Sequence, residues 1–248
     1  MGIDGLNSAA INSKVSQYWS VIIVEETTST QSELAANFSP GKVLVAEYQS
    51  SGRGRLDRKF EVPPRNGLTF SIALTSNFWR ANQTWIPLVT GSVVAQAINK
   101  YAKRNLVKVK WPNDLIIGDL KLGGILSESR EAGFIVGIGI NIFQSSAELP
   151  IENATSLSMH LEVNREALLI EILSQLGVIF SGSDSVSAKD FSDLKNEYRN
   201  LCETLGKHVS VTLPGSEILE DVAIAISEDG SLLLKTREIR VADIVHLR

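Results

Sequence analysis

The sequence predicts an α+β protein, a larger domain over residues 1–203 followed by a small SH3-like β-barrel over residues 204–248. Three observations carry this expectation. Short apolar runs of strand length alternate with stretches of helical spacing as far as residue 201. Glycines interrupt neighbouring strands in the middle of the chain. After Gly206 four or five short strands crowd into about forty residues, the density of a small barrel.

Composition narrows the class. The 248 residues are 44% hydrophobic and 21% charged, with a formal net charge of −4, the profile of a globular protein with room for one large domain and a small partner. A mildly acidic balance disfavours nucleic acid, which wants a basic face. The single Cys202 excludes an internal disulfide and fits a reducing compartment. No run reaches the roughly 18 apolar residues of a membrane span, and no basic segment followed by an apolar one marks a signal peptide. Met1-Gly2 opens like a myristoylation site, but Leu6 stands where Ser or Thr is required. The expected place is the cytoplasm, with no membrane partner. Residues 1–18 form a polar lead-in, too short to hold a winged DNA-binding domain before the first strand.

Each element has its own signal. Residues 20–25 read as a strand, and Thr30 to Glu33 has the capping-box spacing of a helix reaching about residue 37. Ser29 and Thr30 there serve as caps or offer helix-start N–H groups to an anion. Residues 43–46 are a buried strand that leads into a basic loop over 50–60. In it Gly52 and Gly54 let the backbone approach a ligand, and Arg53, Arg55, Arg58 and Lys59 place four cations in seven residues. Arginine forks match carboxylate and phosphate oxygens, although a solvated loop carries the same pattern. A turn over 62–67 precedes a strand over 68–75 with Leu68, Phe70, Ile72 and Leu74 on one face. Residues 85–101 are a helix with Pro87 in its first turn and a core stripe. Residues 108–117 and 120–128 make a hairpin around Gly118-Asp119, interrupted at Pro112. Lys121 points away from Leu120 and Leu122, and Gly123-Gly124 would weaken the strand unless something must approach its backbone. Residues 134–142 form a strand broken by Gly137 and Gly139 and ending in Asn141, so that neighbouring glycines open a floor for a ligand. A loop over 143–163 is followed by helices over 165–180 and 190–201, then strands over 209–213, 219–226, 232–234 and 239–247. His160, His208 and His246 are scattered, structural or exposed, and no His/Cys cluster points to a protein metal site.

Four ordered motifs are distinctive together: Gly52-Arg53-Gly54-Arg55 with Arg58-Lys59-Phe60 behind it, Lys110-Trp111-Pro112-Asn113-Asp114-Leu115, Lys121-Leu122-Gly123-Gly124-Ile125-Leu126, and Gly137-Ile138-Gly139-Ile140-Asn141. The combination resembles the biotin protein ligases over about residues 20–141, and the terminal β module also fits that family. The resemblance implies a mixed-sheet catalytic domain of the biotin/lipoate ligase type, in the monofunctional form without a DNA-binding domain. It further implies biotin, ATP and Mg²⁺ as cofactors. Biotin carboxylate attacks the α-phosphate of ATP to give biotinyl-5′-AMP and pyrophosphate. A lysine of a biotin carboxyl carrier protein then takes the biotinyl group and AMP leaves. By the same resemblance Lys121 is the central catalytic cation, touching biotin carboxylate and α-phosphate. Ser29, Thr30 and Gln49 bond the biotin head group, while Gly52, Arg53 and Gly124 line its pocket. Arg55 and Arg58 hold the adenylate or pyrophosphate and take part in catalysis, and Phe60, Trp111, Asn113 and Asn141 border the nucleotide. Asp114 either positions the incoming lysine or Mg²⁺, or caps a turn.

Two residues depart from the family's G-R-G-R-x-G-R-x-W loop: Asp57 stands at the third glycine and Phe60 at the tryptophan. Asp tolerates left-handed backbone better than most residues; Phe60 keeps the aromatic face but loses the indole donor. Lipoate or octanoate attachment, and a biotin-binding module impaired in catalysis, are the competing expectations. Monomer and homodimer both stay open.

Overall fold

The computed structural model describes residues 4–55, 58–181, 186–213, 217–240 and 242–247; the loop position Asp57 lies outside them. A seven-stranded mixed sheet forms the centre, in the order β1 (Ser20–Thr27), β2 (Lys42–Gln49), β3 (Gly67–Leu74), β7 (Gly133–Asn141), β6 (Leu120–Arg130), β5 (Asp114–Ile117) and β4 (Lys108–Lys110). Only β1 and β2 run parallel, joined by α2 (Thr30–Ala36); the other neighbours are antiparallel. Alternation decides what each face carries. Leu68, Phe70, Ile72 and Leu74 of β3 and Phe134, Val136, Ile138 and Ile140 of β7 enter the main core. They share that core with α4 (Trp85–Ala102) and α5 (Arg165–Phe180). On the opposite face α2 buries Leu34 against Leu44, Ala73 and Ile135.

Several local expectations are corrected. The lead-in holds a short helix, α1 (Ser8–Asn12), whose Ile11 is fully buried. Helix α2 is capped by Ser29, whose side chain accepts from the Ser32 amide, and not by Thr30. Glu33 turns to the Thr27 hydroxyl at 2.6 Å instead of closing a capping box. A five-residue helix, α3 (Asn77–Ala81), is too short to show periodicity in sequence. Residues 108–117 are two strands rather than one, because the chain reverses at Trp111-Pro112, joined by a cis peptide bond, and lays β4 antiparallel on β5. Helix α6 (Ala188–Leu201) begins with a true capping box between Ser187 and Asp190.

The C-terminal strands form a five-stranded antiparallel sheet, ordered β11 (Glu238–Ile239), β10 (Leu232–Leu234), β9 (Ile218–Ile226), β8 (His208–Thr212) and β12 (Asp243–His246). A closed barrel is not formed among the described residues. The strand expected over 239–247 is divided into β11 and β12, which stand at opposite ends of the sheet. Nor is the sheet a detached appendage. Trp85 Nε1 donates to the Glu228 carbonyl at 2.8 Å and Trp111 Nε1 to the Gly230 carbonyl at 3.0 Å, and Val209, Val211, Ala223 and Leu232 join the main core.

A buried ion pair ties the far end together. Arg165 and Glu47, 3% and 2% exposed, meet at 2.6 Å. Arg165 also donates to the Gly67 and Asp4 carbonyls, and Glu47 accepts from the Leu6 amide. Removing one partner strands a charge in the core at a cost of about 3–5 kcal/mol. Arg165→Met should therefore lower the denaturant midpoint sharply, while Glu47→Leu combined with Arg165→Met should recover much of the loss.

Candidate functional site

The sheet face opposite α4 and α5 opens into a cavity of about 860 Å³. Strand register explains its floor. Lys110 lies opposite Asp114, Asp114 opposite Gly124, Gly124 opposite Gly139, and Gly139 opposite Thr69. Paired residues share a face, so one row across five strands presents a cation, a carboxylate, two bare backbones and a hydroxyl. A Cβ at Gly124 would meet only ordinary contacts, which leaves that position open to a ligand, whereas one at Gly139 would come within 2.7 Å of the Phe60 ring. At Gly137 the room is taken by Gln31, and at Gly123 by the Gly139 carbonyl. Part of the expected glycine floor is thus covered by the protein's own side chains.

Lys121 reaches this face through a register fault. Leu115 pairs with Gly123 but Ile116 with Lys121, so Leu122 has no partner on β5. Regular alternation from Gly123 would turn Lys121 towards the helices. The extra residue sends Leu122 there, where it is fully buried, and aims Lys121 into the cavity, as bulges beside functional sites do. Lys121 Nζ then sits 2.7 Å from Asp114 Oδ1. Its backbone is braced by the segment after β7: the Lys121 amide donates to the Asn153 carbonyl and its carbonyl accepts from the Thr155 amide.

Over the floor stands the basic loop, closed on itself by a bridge between Arg53 and Lys59 and by hydrogen bonds from Gly54 N to the Arg58 carbonyl and from Phe60 N to the Gly52 carbonyl. Arg53 pairs with Glu128 at 3.0 Å. Arg55 donates to Asn113 Oδ1 at 2.9 Å and to the Ala242 carbonyl at 3.5 Å, while Arg58 pairs with Asp243. Burial lowers the pKa of Arg55 from its usual range, though a guanidinium stays charged in proteins. At the other end, Gln49 Oε1 accepts from the Thr30 amide at 2.8 Å and hydroxyl at 3.1 Å, and Thr30 Oγ1 lies 2.8 Å from Ser71 Oγ. The cavity is therefore polar and uncharged at one end and cationic at the other.

Most expected site residues meet here: Ser29, Thr30, Gln49, Arg53, Arg55, Arg58, Phe60, Trp111, Asn113, Lys121, Gly124 and Asn141 all line the cavity. Gly52 does not; it is buried behind the loop, where a side chain would strike the Phe60 carbonyl. Trp111 and Asn141 border the space with their polar atoms committed elsewhere. The Trp111 indole N–H serves Gly230, and Asn141 donates to the Thr155 carbonyl and accepts from Gln144. Sequence reasoning missed Ser71, Lys110 and the residues from β12. A serine on the face opposite the apolar stripe of β3, and a lysine two residues before Pro112, were visible signals for the first two. Nothing local announces β12. Its His246 lies 3.1 Å from Thr204 Oγ1, with a pKa lowered to about 4, first by burial and then by Lys110 and Lys207.

A mixed sheet thus carries an arginine-rich loop over a partly glycine floor, with the cations that carboxylate or phosphate oxygens would require. The profile of the Biotin/lipoate A/B protein ligase family matches residues 21–144. A biotin–[acetyl-CoA-carboxylase] ligase of Mycobacterium tuberculosis is 27% identical over 91% of this chain and 88% of its own length. The bifunctional ligase/repressor BirA of Bacillus spizizenii is 30% identical over 87% of this chain and 68% of its own. Among solved structures, the biotin protein ligase of Aquifex aeolicus in complex with biotin and ATP superposes with a TM-score of 0.78 at 30% identity, covering 92% of this chain and 98% of that one. The chain belongs to the biotin/lipoate protein ligase family.

Two measurements test the site's construction. Gly139→Val should push the Phe60 ring off the sheet and loosen the loop, so that trypsin cleaves between residues 53 and 59 faster while the far-UV spectrum is kept. His246 has a folded-state pKa of about 4, below the ordinary 6.5. Its neutral ring therefore favours folding fully above pH 6.5, and that contribution fades as pH falls towards 4. The wild type should lose more Tm between pH 7 and 4.5 than His246→Asn.

Proposed function

We propose that this chain is an ATP-dependent biotin protein ligase, which makes biotinyl-5′-AMP from biotin and ATP and passes the biotinyl group to a lysine of a biotin carboxyl carrier protein. The observation that carries the reading is the Lys121–Asp114 pair on the glycine floor, with the arginine loop above it and a neutral hydrogen-bonding end across the cavity. An uncharged ureido ring suits Ser29, Thr30, Gln49 and Ser71, which offer hydroxyls and an amide without a charge. The acyl chain then leads its carboxylate past Gly124 to Lys121.

Two anions must meet in the first step, so charge neutralisation sets the barrier. Lys121 exchanges its contact with Asp114 for the carboxylate and α-phosphate oxygens. A carboxylate oxygen forms the new bond to phosphorus, and the bond to the pyrophosphate oxygen breaks with its electron pair. Arg55 and Arg58 let go of Asn113 and Asp243 to enclose the adenylate, which keeps water from the mixed anhydride. Asp114, freed of Lys121, faces the incoming lysine and orients its amine towards the acyl carbon before AMP departs. Among the described residues no group of three His, Cys, Asp or Glu side chains makes a metal cage, and Asp114 and Asp243 are engaged by Lys121 and Arg58. Mg²⁺ would therefore enter on the phosphates of ATP, where it neutralises charge on the leaving group. We place the boundary with the C-terminal domain between residues 203 and 204. The cytoplasm suits a chain whose one cysteine, Cys202, is free and buried.

Biotin-dependent exchange of pyrophosphate into ATP tests the reading. Exchange with biotin, and none with lipoate or octanoate, supports it; exchange with a lipoyl-type acid moves the chain to the sister activity, and binding without exchange to an impaired module. Lys121→Ala should lower exchange by about 10²–10³-fold, the usual cost of losing one transition-state donor. Arg55→Gly should release more free biotinyl-AMP per turnover, detected by trapping the intermediate with a generic amine.

A further inference from the structure

Among the described residues seven lysine and arginine side chains line the cavity, and six of them have partners: Arg53 with Glu128, Arg55 with Asn113, Arg58 with Asp243, Lys59 with Glu61, Lys121 with Asp114, and Lys207 with Glu203 and Asp119. Lys110 has no ion pair or hydrogen bond from its ammonium group among the described residues, although it is half-buried. A desolvated cation without a partner is a cost to the fold. Burial acts most strongly against its charge and lowers its pKa; the field of Asp114, with smaller help from Asp119 and Asp243, works the other way, and Lys121 opposes it.

Its place in the sheet says which anion it meets. Lys110 faces the cavity opposite Asp114, while Lys121 faces it opposite Ile116, one residue pair further along β5 and on the other side of that strand. Two strand spacings separate the two lysines laterally, roughly 10 Å between backbones. Their side chains therefore bracket Asp114 and grip neighbouring groups of one ligand rather than the same oxygen.

We propose that Lys110 holds the β- and γ-phosphates of ATP and receives the pyrophosphate as it departs. This rests on the adenylating reading of the site. As the carboxylate oxygen bonds to the α-phosphorus, the bond from that phosphorus to the bridging oxygen breaks. The electron pair and its negative charge move onto pyrophosphate, away from Lys121. Lys110 is the cation placed to meet that charge, and among the described residues it has no ion pair to break first, only the longer-range field of Asp114, Asp119 and Asp243.

The test uses the whole protein, with Lys110→Met and Lys110→Arg. By calorimetry, Lys110→Met should weaken ATP binding about tenfold or more, the scale of a charge-assisted hydrogen bond, and leave AMP and biotin binding within about twofold. In exchange assays the KM for pyrophosphate should rise by a similar factor, with Lys110→Arg restoring most of it. Tm should stay equal or rise, since an unpaired buried charge is removed. Equal ATP affinity in wild type and Lys110→Met overturns the proposal, as does parallel loss of AMP or biotin affinity, which would mark Lys110 as a general support of the pocket. If the wild type shows no exchange with any acid, the adenylating reading fails instead, and the ATP-against-AMP comparison still judges Lys110.

Discussion

Side chains alternate across a strand, so each residue of the central sheet has to serve one of two faces. One face is an aliphatic and aromatic surface under α4 and α5. The other is divided: α2 covers Leu44, Ala73 and Ile135 in a small second core, while Thr69, Ser71, Gly124, Gly139 and Asp114 line the open cavity. At Lys121 regular alternation would aim the side chain away from the cavity, and there the β5–β6 register slips by a residue.

The basic loop is held by the same economy of space. Its backbone closes on itself through Gly52 and Gly54, and Phe60 lays its ring on Gly139, where any side chain would collide. The arginines do not wait free in solution. They rest on Glu128, Asn113 and Asp243, and contacts of this kind at a partly exposed rim are individually weak.

The C-terminal sheet completes the enclosure. Two tryptophan indoles, from α4 and from the turn after β4, donate to carbonyls of a single turn, at Glu228 and Gly230, while Arg55 and Arg58 of the loop meet Ala242 and Asp243 at the start of β12. Asp243 and His246 thereby reach a cavity whose floor lies more than a hundred residues earlier in the chain.

Much of this was legible in the sequence. The four motifs, the stripe on β3, the core helices α4 and α5, and the cation-bearing loop all follow from local spacing, because helix and strand periods and glycine's freedom act over a few residues. The sequence by itself determined the family, the class of ligand and a set of candidate residues nearly all of which line the cavity. What only the tertiary structure decided are matters of distant approach. Thr30 became a hydrogen-bond partner of Gln49 and Ser71 because Ser29 took the cap. Gly52 turned out to make room for Phe60 rather than for ligand. The expected barrel opened into a sheet because one predicted strand was split between its two ends. Lys110 was set opposite Asp114 by the pairing of β4 with β5, yet forms no ion pair among the described residues. Such outcomes depend on which backbone packs beside which, and a pattern of period two or 3.6 carries no information about that.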